Sequence, residues 1–417
     1  MAVDVADVRI SFARLRTRLD ALAELGAIDG GGSCRLALTD ADREGRDLVV
    51  TWMEDLGLRI DIDGIGNVVG TWPSDAQDPP VLMGSHIDTV ATGGIYDGCL
   101  GVLAGLEVIE TVITAGITTE HPLAVAFFTD EEGSRFAPDM LGSLVYAGGL
   151  SLEDALVTTA TDGAVLRDEL ERIGYEGSAP CPATPPHAYV ELHIEQGPVL
   201  EAEGITIGAV TGVQGIAWAE LSITGQSNHA GTTPMALRHD AGYVAGRIAA
   251  FVRDLVTEIG APQVGTVGRI ELHPNLVNVV AARATMTVDL RHTDDVALAA
   301  AENELRRFLV ELASAEGVTI DSKTLAHFDS VTFDDDVVAL VEQVAIEHGH
   351  SVRRLPSGAG HDAQMLARVC PAGMVFVPSA KGISHNPAEH TDDADLEAGA
   401  NVLLHCVLRL AGARVDL

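Results

Sequence analysis

The chain has 417 residues, 47% of them hydrophobic, and a formal net charge of −35 at neutral pH. That length is too great for one ordinary core and implies two domains. An acidic excess of this size, with lysine only at Lys323 and Lys381, argues against nucleic acid or an anionic membrane as partner.

From the N-terminus, Met1-Ala-Val-Asp-Val-Ala-Asp-Val-Arg lacks the basic region and apolar core of a signal peptide, and no stretch is apolar for long enough to span a bilayer. The five cysteines are dispersed and show no Cys-x-x-Cys pair, as expected of reduced thiols in a cytoplasmic protein. Apolar spacing predicts helices over about 7–26 and 40–56, then short strands at Arg59–Ile62 and Asn67–Thr71. A buried strand, Val81-Leu-Met-Gly-Ser, leads into His86. Leu100, Leu103, Leu106, Ile109 and Ile113 predict a helix after Gly98, and the apolar run Leu123–Phe128 leads into Asp130-Glu131-Glu132. Tyr189–Ile194, carrying His193, is another strand. Chemically rich segments at strand ends are where open α/β sheets place their sites.

Near residue 211 the pattern changes. Strand Ala217–Gly225, helix Ala241–Ile259, strands Gly265–Leu272 and Val279–Leu290, helix Val296–Glu316 and strand Val318–Lys323 follow in turn. This β-α-β-β-α-β order is the ferredoxin-like split motif. The expected fold class is therefore α/β: a mixed-sheet catalytic domain of residues 1–210 and 328–417, interrupted by a ferredoxin-like domain of residues 211–327. A helix at Val337–His348 and a strand at Gly373–Val377 return the chain to the first domain.

Five short segments offer what a pair of metal ions requires: Gly84–Thr89, Gly94–Gly98, Thr129–Ser134, Glu191–Gln196 and Gly382–Pro387. Their histidines and carboxylates suit zinc, and also manganese, cobalt or nickel. In His86-Ile-Asp88 the strand period of two puts both side chains on one side. His86 is then placed to bind a metal while Asp88 holds its other ring nitrogen. A strand histidine beside a capping aspartate explains the same triplet without a metal. Asp97, between a Gly-Gly turn and Gly98, is equally a candidate ligand or a helix N-cap. The adjacent acids Asp130-Glu131-Glu132 repel one another unless cations intervene. Neighbouring glutamates also allow one to bind a metal while the other takes a proton from water.

Across seven ordered segments (Gly84–Thr89, Gly93–Gly98, Thr129–Phe136, His193–Pro198, Ser227–Met235, Ser357–Gln364 and Gly382–Thr391), essentially the whole chain resembles the hydantoinase/carbamoylase branch of the M20 metallopeptidase family. Asp-Glu-Glu-Gly-Ser-Arg-Phe and His-Ile-Glu-Gln-Gly-Pro distinguish this branch from the family's ordinary peptidases. The resemblance implies two divalent metal ions, one held by His86, Asp97 and His193 and the other by Asp97, Glu132 and His385. Asp97 would bridge them, Glu131 would be the general base, and a cis peptide would follow Asp97. It also makes His229 an oxyanion donor, and Asn278 and Arg291 the grip on a substrate carboxylate. Gln196 would contact the carbamoyl or ureido group, with backbone near Gly360 lining the pocket. His361 and Asp362 would play supporting parts.

The implied reaction is hydrolysis of the ureido C–N bond of an N-carbamoyl-L-amino acid, with allantoate or a β-ureido acid as alternative substrates. The inserted domain would serve as lid and homodimer surface, closing as the carboxylate grip meets the metals. A dipeptidase or aminoacylase would use the same metals, but the Gln196 segment speaks against it. A non-catalytic relative would be expected to lack a ligand or the base, and none is missing. Ile95-Tyr96 departs from the basic or small residue followed by Phe that the branch favours.

Overall fold

The computed structural model describes residues 5–414. Residues 1–4 of the N-terminal stretch read above for a signal pattern lie outside the described residues. Helices α1 (Phe12–Ala23) and α2 (Asp40–Asp55) come first. The side chain of Thr39 accepts the Asp42 amide and so caps α2. Strands β1 (Arg59–Ile62), β2 (Val68–Trp72) and β3 (Val81–His86) follow, then helix α3 (Cys99–Ala115) and strand β4 (Leu123–Phe128). Short helices α4 (Leu141–Tyr146), α5 (Leu152–Leu156) and α6 (Leu166–Ile173) lead to β5 (Ala188–Ile194), α7 (Val199–Glu203) and β6 (Ile207–Val213).

The middle of the chain forms β7 (Gly215–Thr224), α8 (Ala241–Ile259), β8 (Val264–Thr266), β9 (Ile270–His273), β10 (Arg283–His292), α9 (Asp295–Glu316) and β11 (Thr319–Phe328). The last stretch holds β12 (Val331–Thr332), α10 (Asp335–Glu347), β13 (Val352–Ser357), α11 (Asp362–Leu366), β14 (Ala372–Val377) and α12 (Asp393–Leu410). The first helix is shorter than the expected 7–26, with a separate 3-10 turn at Val5–Asp7.

Two compact units result, one of residues up to Gly212 and from Thr332 onward, the other Val213–Val331. The chain passes into the second unit slightly later than residue 210, because β6, which begins at Ile207 in the large sheet, runs on past that residue.

The first unit is built on a nine-stranded mixed sheet of order β1-β2-β4-β3-β5-β14-β6-β12, with β13 paired to β6. Strands β3, β4, β5 and β14 are buried at every residue. This explains why they read as unbroken apolar runs rather than alternating ones. The pairs β3/β4, β3/β5 and β5/β14 are parallel. The C-terminal ends of β3, β4 and β5 therefore emerge at one edge, carrying His86, the Thr129–Glu132 turn and His193 together.

The second unit is a five-stranded antiparallel sheet of order β11-β7-β10-β8, with β9 also on β10. One face packs on α8 and α9 through Leu221, Ile223, Val244, Ile248, Met286 and Leu305. The strand expected at Gly265–Leu272 is divided. Thr266 pairs with Asp289 and Ile270 with Met286, so the register slips by one residue between them, as at a bulge. The next strand begins at Arg283 rather than Val279, because Val279 instead bridges His229.

Candidate dinuclear metal centre

His86 is the last residue of β3 and His193 the penultimate residue of β5, and both are buried. Nδ1 of His86 lies 2.9 Å from the Asp88 carbonyl, and Nδ1 of His193 lies 2.8 Å from the Ile194 carbonyl. A ring nitrogen facing a carbonyl must carry the proton, so in the neutral ring it is Nε2 that offers a lone pair to the site. Those Nε2 atoms lie 3.7 and 3.2 Å from Oδ1 of Asp97. On the other side, His385 Nε2 lies 3.4 Å from Oδ2 of Asp97 and 3.3 Å from Glu132 Oε2. Two clusters with metal-ligating geometry thus share one carboxylate: His86, Asp97 and His193, and Asp97, Glu132 and His385.

The electrostatics suit cations. Burial works against ionisation of Asp97, yet the surrounding imidazoles, His193 foremost, hold its carboxyl well below the usual range. Burial also opposes charge on His193, but Asp97 raises its pKa to about 9. Positive charge is therefore favoured between these two groups. Burial depresses His86 to about 4 and keeps it a neutral donor. Glu131 and Glu132 are pushed well above the carboxylate range by burial and by one another's acidic neighbours, the repulsion that divalent ions would relieve.

Glu131 belongs to neither cluster, although its Oε2 lies 3.3 Å from His86 Nε2. Two details differ from the sequence-based expectation. The partner of His86 Nδ1 is the Asp88 carbonyl, not its carboxylate. The carboxylate instead accepts the amides of Glu131 and Glu132, each at 3.3 Å, and so positions the acidic turn. The period-two argument fails because β3 ends at His86.

The cis peptide expected after Asp97 is also not found, since every cis bond among the described residues precedes proline. The turn is made by Gly98 at φ 65° and ψ −48°. A Cβ there would lie 2.4 Å from His86 Nε2, besides being strained at positive φ. Gly98→Ala is accordingly expected to displace His86 and lower divalent-cation content below the wild-type value, measured by elemental analysis. Full metal content in that variant would count against this geometry.

Gln196, at φ 56°, donates its side-chain amide to Asp97 Oδ2 at 2.9 Å, and its buried Oε1 has no partner. Gly360 is half-buried in the loop before α11, where a Cβ would press on Met140. His361 Nε2 meets Ser357 Oγ at 2.8 Å, beneath the ring of His193. Sequence reading passed over Glu191, Ser384 and Glu389. The first of these forms a third cluster with His193 and His361, but its carboxylate already accepts from Ser85, Tyr189 and the Ala363 amide. That satisfied set makes Glu191 a support for β5 rather than a ligand. Ser384 and Glu389 touch Asp97 directly. The only sequence signal for them was their proximity to His385.

In the second unit, His229 is exposed and its Nδ1 accepts the amides of Gly231 and Thr232 at 3.0 and 3.3 Å. Nε2 of the neutral ring is therefore the protonated, donating nitrogen. Asn278 lies beside it, its carbonyl accepting the Ala230 amide at 2.9 Å. Arg291 is not with them. It sits near the far end of the ten-residue strand β10, paired with Asp289 at 2.9 Å and over the Trp218 ring. At about 3.3 Å per residue, roughly 25 Å of strand separates Arg291 from the Asn278 end.

Residues 82–409 match the profile of peptidase family M20/M25/M40. An N-carbamoyl-L-amino-acid amidohydrolase from Rhizobium meliloti is 42% identical over 412 residues, 99% of each chain. One from Geobacillus stearothermophilus is 39% identical, covering 95% of this chain and 98% of its own. A crystal structure of an amidase of the hydantoinase/carbamoylase family from Burkholderia multivorans superposes with a TM-score of 0.94 at 45% identity, covering 97% of this chain and 98% of that one.

Proposed function

Since the chain belongs to peptidase family M20/M25/M40, we propose that it is a metal-dependent amidohydrolase cleaving the ureido C–N bond of an N-carbamoyl-L-amino acid. The products are the amino acid, carbon dioxide and ammonia. The observation that carries this reading is the sharing of Asp97 between two ligand clusters, with Glu131 alongside but in neither. The relatives named above support the ureido substrate.

His86, Asp97 and His193 would hold one divalent cation, and Asp97, Glu132 and His385 the other. Bound there, the pair supplies Lewis acidity that polarises the carbonyl and eases deprotonation of water. Glu131 accepts a proton from the attacking water as its oxygen bonds to the carbamoyl carbon. Glu131 then returns that proton to the nitrogen as the C–N bond breaks. His229 donates its Nε2–H to the developing oxyanion. Gln196 Oε1, buried and unpartnered, accepts from the ureido NH2 group. Asn278 and Arg291 bind the α-carboxylate, for which a forked guanidinium is suited. Because the length of β10 separates His229 and Asn278 from Arg291, one small substrate cannot meet all three from one chain. We assign them to two copies in a homodimer, with the second unit supplying lid and dimer surface.

The test combines metal analysis with a panel of N-carbamoyl-L-methionine, allantoate, β-ureidopropionate and a dipeptide. Expected are two divalent ions per chain, activity lost to a chelator and restored by zinc, manganese, cobalt or nickel, and the highest kcat/KM for the carbamoyl amino acid. Allantoate carries the same carboxylate and ureido groups, and a preference for it would move the reading to that substrate. Faster dipeptide cleavage would overturn the ureido assignment.

A further inference from the structure

We propose that Glu389 is a positioning residue that sets the second cation site by fastening the loop bearing His385 to the turn bearing Asp97. The proposal rests on the metal-dependent reading above. Glu389 is 7% exposed. Its Oε1 accepts the backbone amides of Tyr96 and Asp97 at 3.0 and 3.2 Å. Ser384 Oγ lies 3.2 Å from the other oxygen of Glu389 and 2.9 Å from Asp97 Oδ2. Glu389 thus holds Asp97 through its backbone amide, and the Ser384 hydroxyl between the two carboxylates has one proton to give, to the ligating oxygen Asp97 Oδ2 or to Glu389 Oε2. The chain makes room for this approach at Gly94, where a Cβ would fall 2.0 Å from Glu389 Oε1.

The two clusters depend on such a fastening unequally. His86 and His193 are fixed by buried strands, and Glu132 by its own amide on Asp88 and by the Val90 amide on its carboxylate. His385 has no strand beneath it. Its side chain is 50% exposed, it sits at φ 53° in a loop, and among the described residues its ring pairs with Asp97 and Glu132. That loop is closed on itself by the Glu389 amide on the Asn386 carbonyl at 2.9 Å and by the Ala388 amide on Asn386 Oδ1. The carboxylate of Glu389 therefore ties this turn to the Asp97 backbone, beside a longer bond from Thr92 Oγ1 to the His385 carbonyl at 3.4 Å. Glu389 itself is no ligand by geometry, since it belongs to neither ligand cluster. Adding another buried carboxylate beside Asp97 is costly unless it is hydrogen-bonded, and here its bonds all go to groups that place Asp97 and His385.

The test uses the full chain loaded with cobalt(II), comparing wild type with Glu389→Ala, Glu389→Gln and Ser384→Ala. Cobalt affinity of each site is read by competition with a chromogenic chelator, alongside kcat, KM and the melting temperature of the cation-free protein. In Glu389→Ala the first cation should bind as in wild type and the second about 10- to 100-fold more weakly, the usual cost of losing a residue that orients ligands. Its kcat should recover as cobalt is raised, with KM little changed. Glu389→Gln should bind both ions nearly normally, because its side-chain oxygen still accepts the Tyr96 and Asp97 amides. Ser384→Ala, a small change that leaves the loop's backbone bonds intact, should weaken the second site alone. It provides the decisive comparison if Glu389→Ala does not fold.

Unaltered second-site affinity in the alanine variants overturns the proposal. So does a Gln variant as impaired as Ala, since charge rather than hydrogen bonding would then matter. Wild-type protein that binds no cobalt would instead remove the metal-dependent reading itself.

Discussion

Glu131→Gln is expected to keep both cation sites filled while lowering kcat about 10³-fold or more, within and beyond the usual contribution of one proton-transfer group. The size follows from the two uses of the same carboxylate, first as acceptor from water and then as donor to the departing nitrogen. The amide is nearly isosteric, so the turn should persist. Its backbone is held by Asp88 accepting the Glu131 amide at 3.3 Å and by the Met140 amide on the Glu131 carbonyl at 2.7 Å. Neither ligand cluster includes Glu131, so elemental analysis should find wild-type metal content. KM should change little, since the loss falls on bond-making steps. Near-normal turnover would sink the assigned base. Loss of one cation would instead make Glu131 a ligand and force the roles of Glu131 and Glu132 to be exchanged.

What could be read from the sequence followed from how regularly each element presents itself. Strands β3, β4 and β5 were legible because a strand covered on both faces is a short apolar run, and the polar residues at its end then mark the sheet edge. Helix α12 was missed for the opposite reason. From Ala398 to Leu408 it is buried on every side, so it shows no apolar stripe. The pairing of His86 with Asp88 was read by extending a strand beyond its last residue. The structure keeps both residues at the site but gives the ring to a carbonyl and the carboxylate to two amides. Gly98 was singled out for a cis bond, whereas its use is positive φ and room for an imidazole. Glu389 stands in a loop with no periodicity at all. Its meaning depends on a turn almost 300 residues away in sequence, and nothing local announces that contact.

The separation along β10 yields the second large effect. His229→Ala is expected to lose about 10²- to 10³-fold in kcat, the usual cost of removing one oxyanion donor, and Arg291→Ala to raise KM sharply. Each should be combined with Glu131→Gln by co-expression in equal amounts. If chains pair at random in a two-fold dimer, half the dimers are mixed. In a mixed dimer whose tested residue acts across the interface, one of the two sites has every group intact. Activity should then return to roughly a quarter of wild type, from two nearly inactive parents. His229, bridged to Val279 just ahead of β10, and Arg291, near the other end of that strand, lie a strand's length apart, so they cannot both serve a small substrate from the same copy. Recovery is therefore expected in one pairing, with His229→Ala or with Arg291→Ala, and not in the other. The pairing that recovers identifies which residue crosses the interface. Recovery in neither would mean that a single chain assembles the whole site, and the proposed homodimeric division of the substrate's two ends would fall. Recovery in both would place His229 and Arg291 together on the partner, against the spacing of β10.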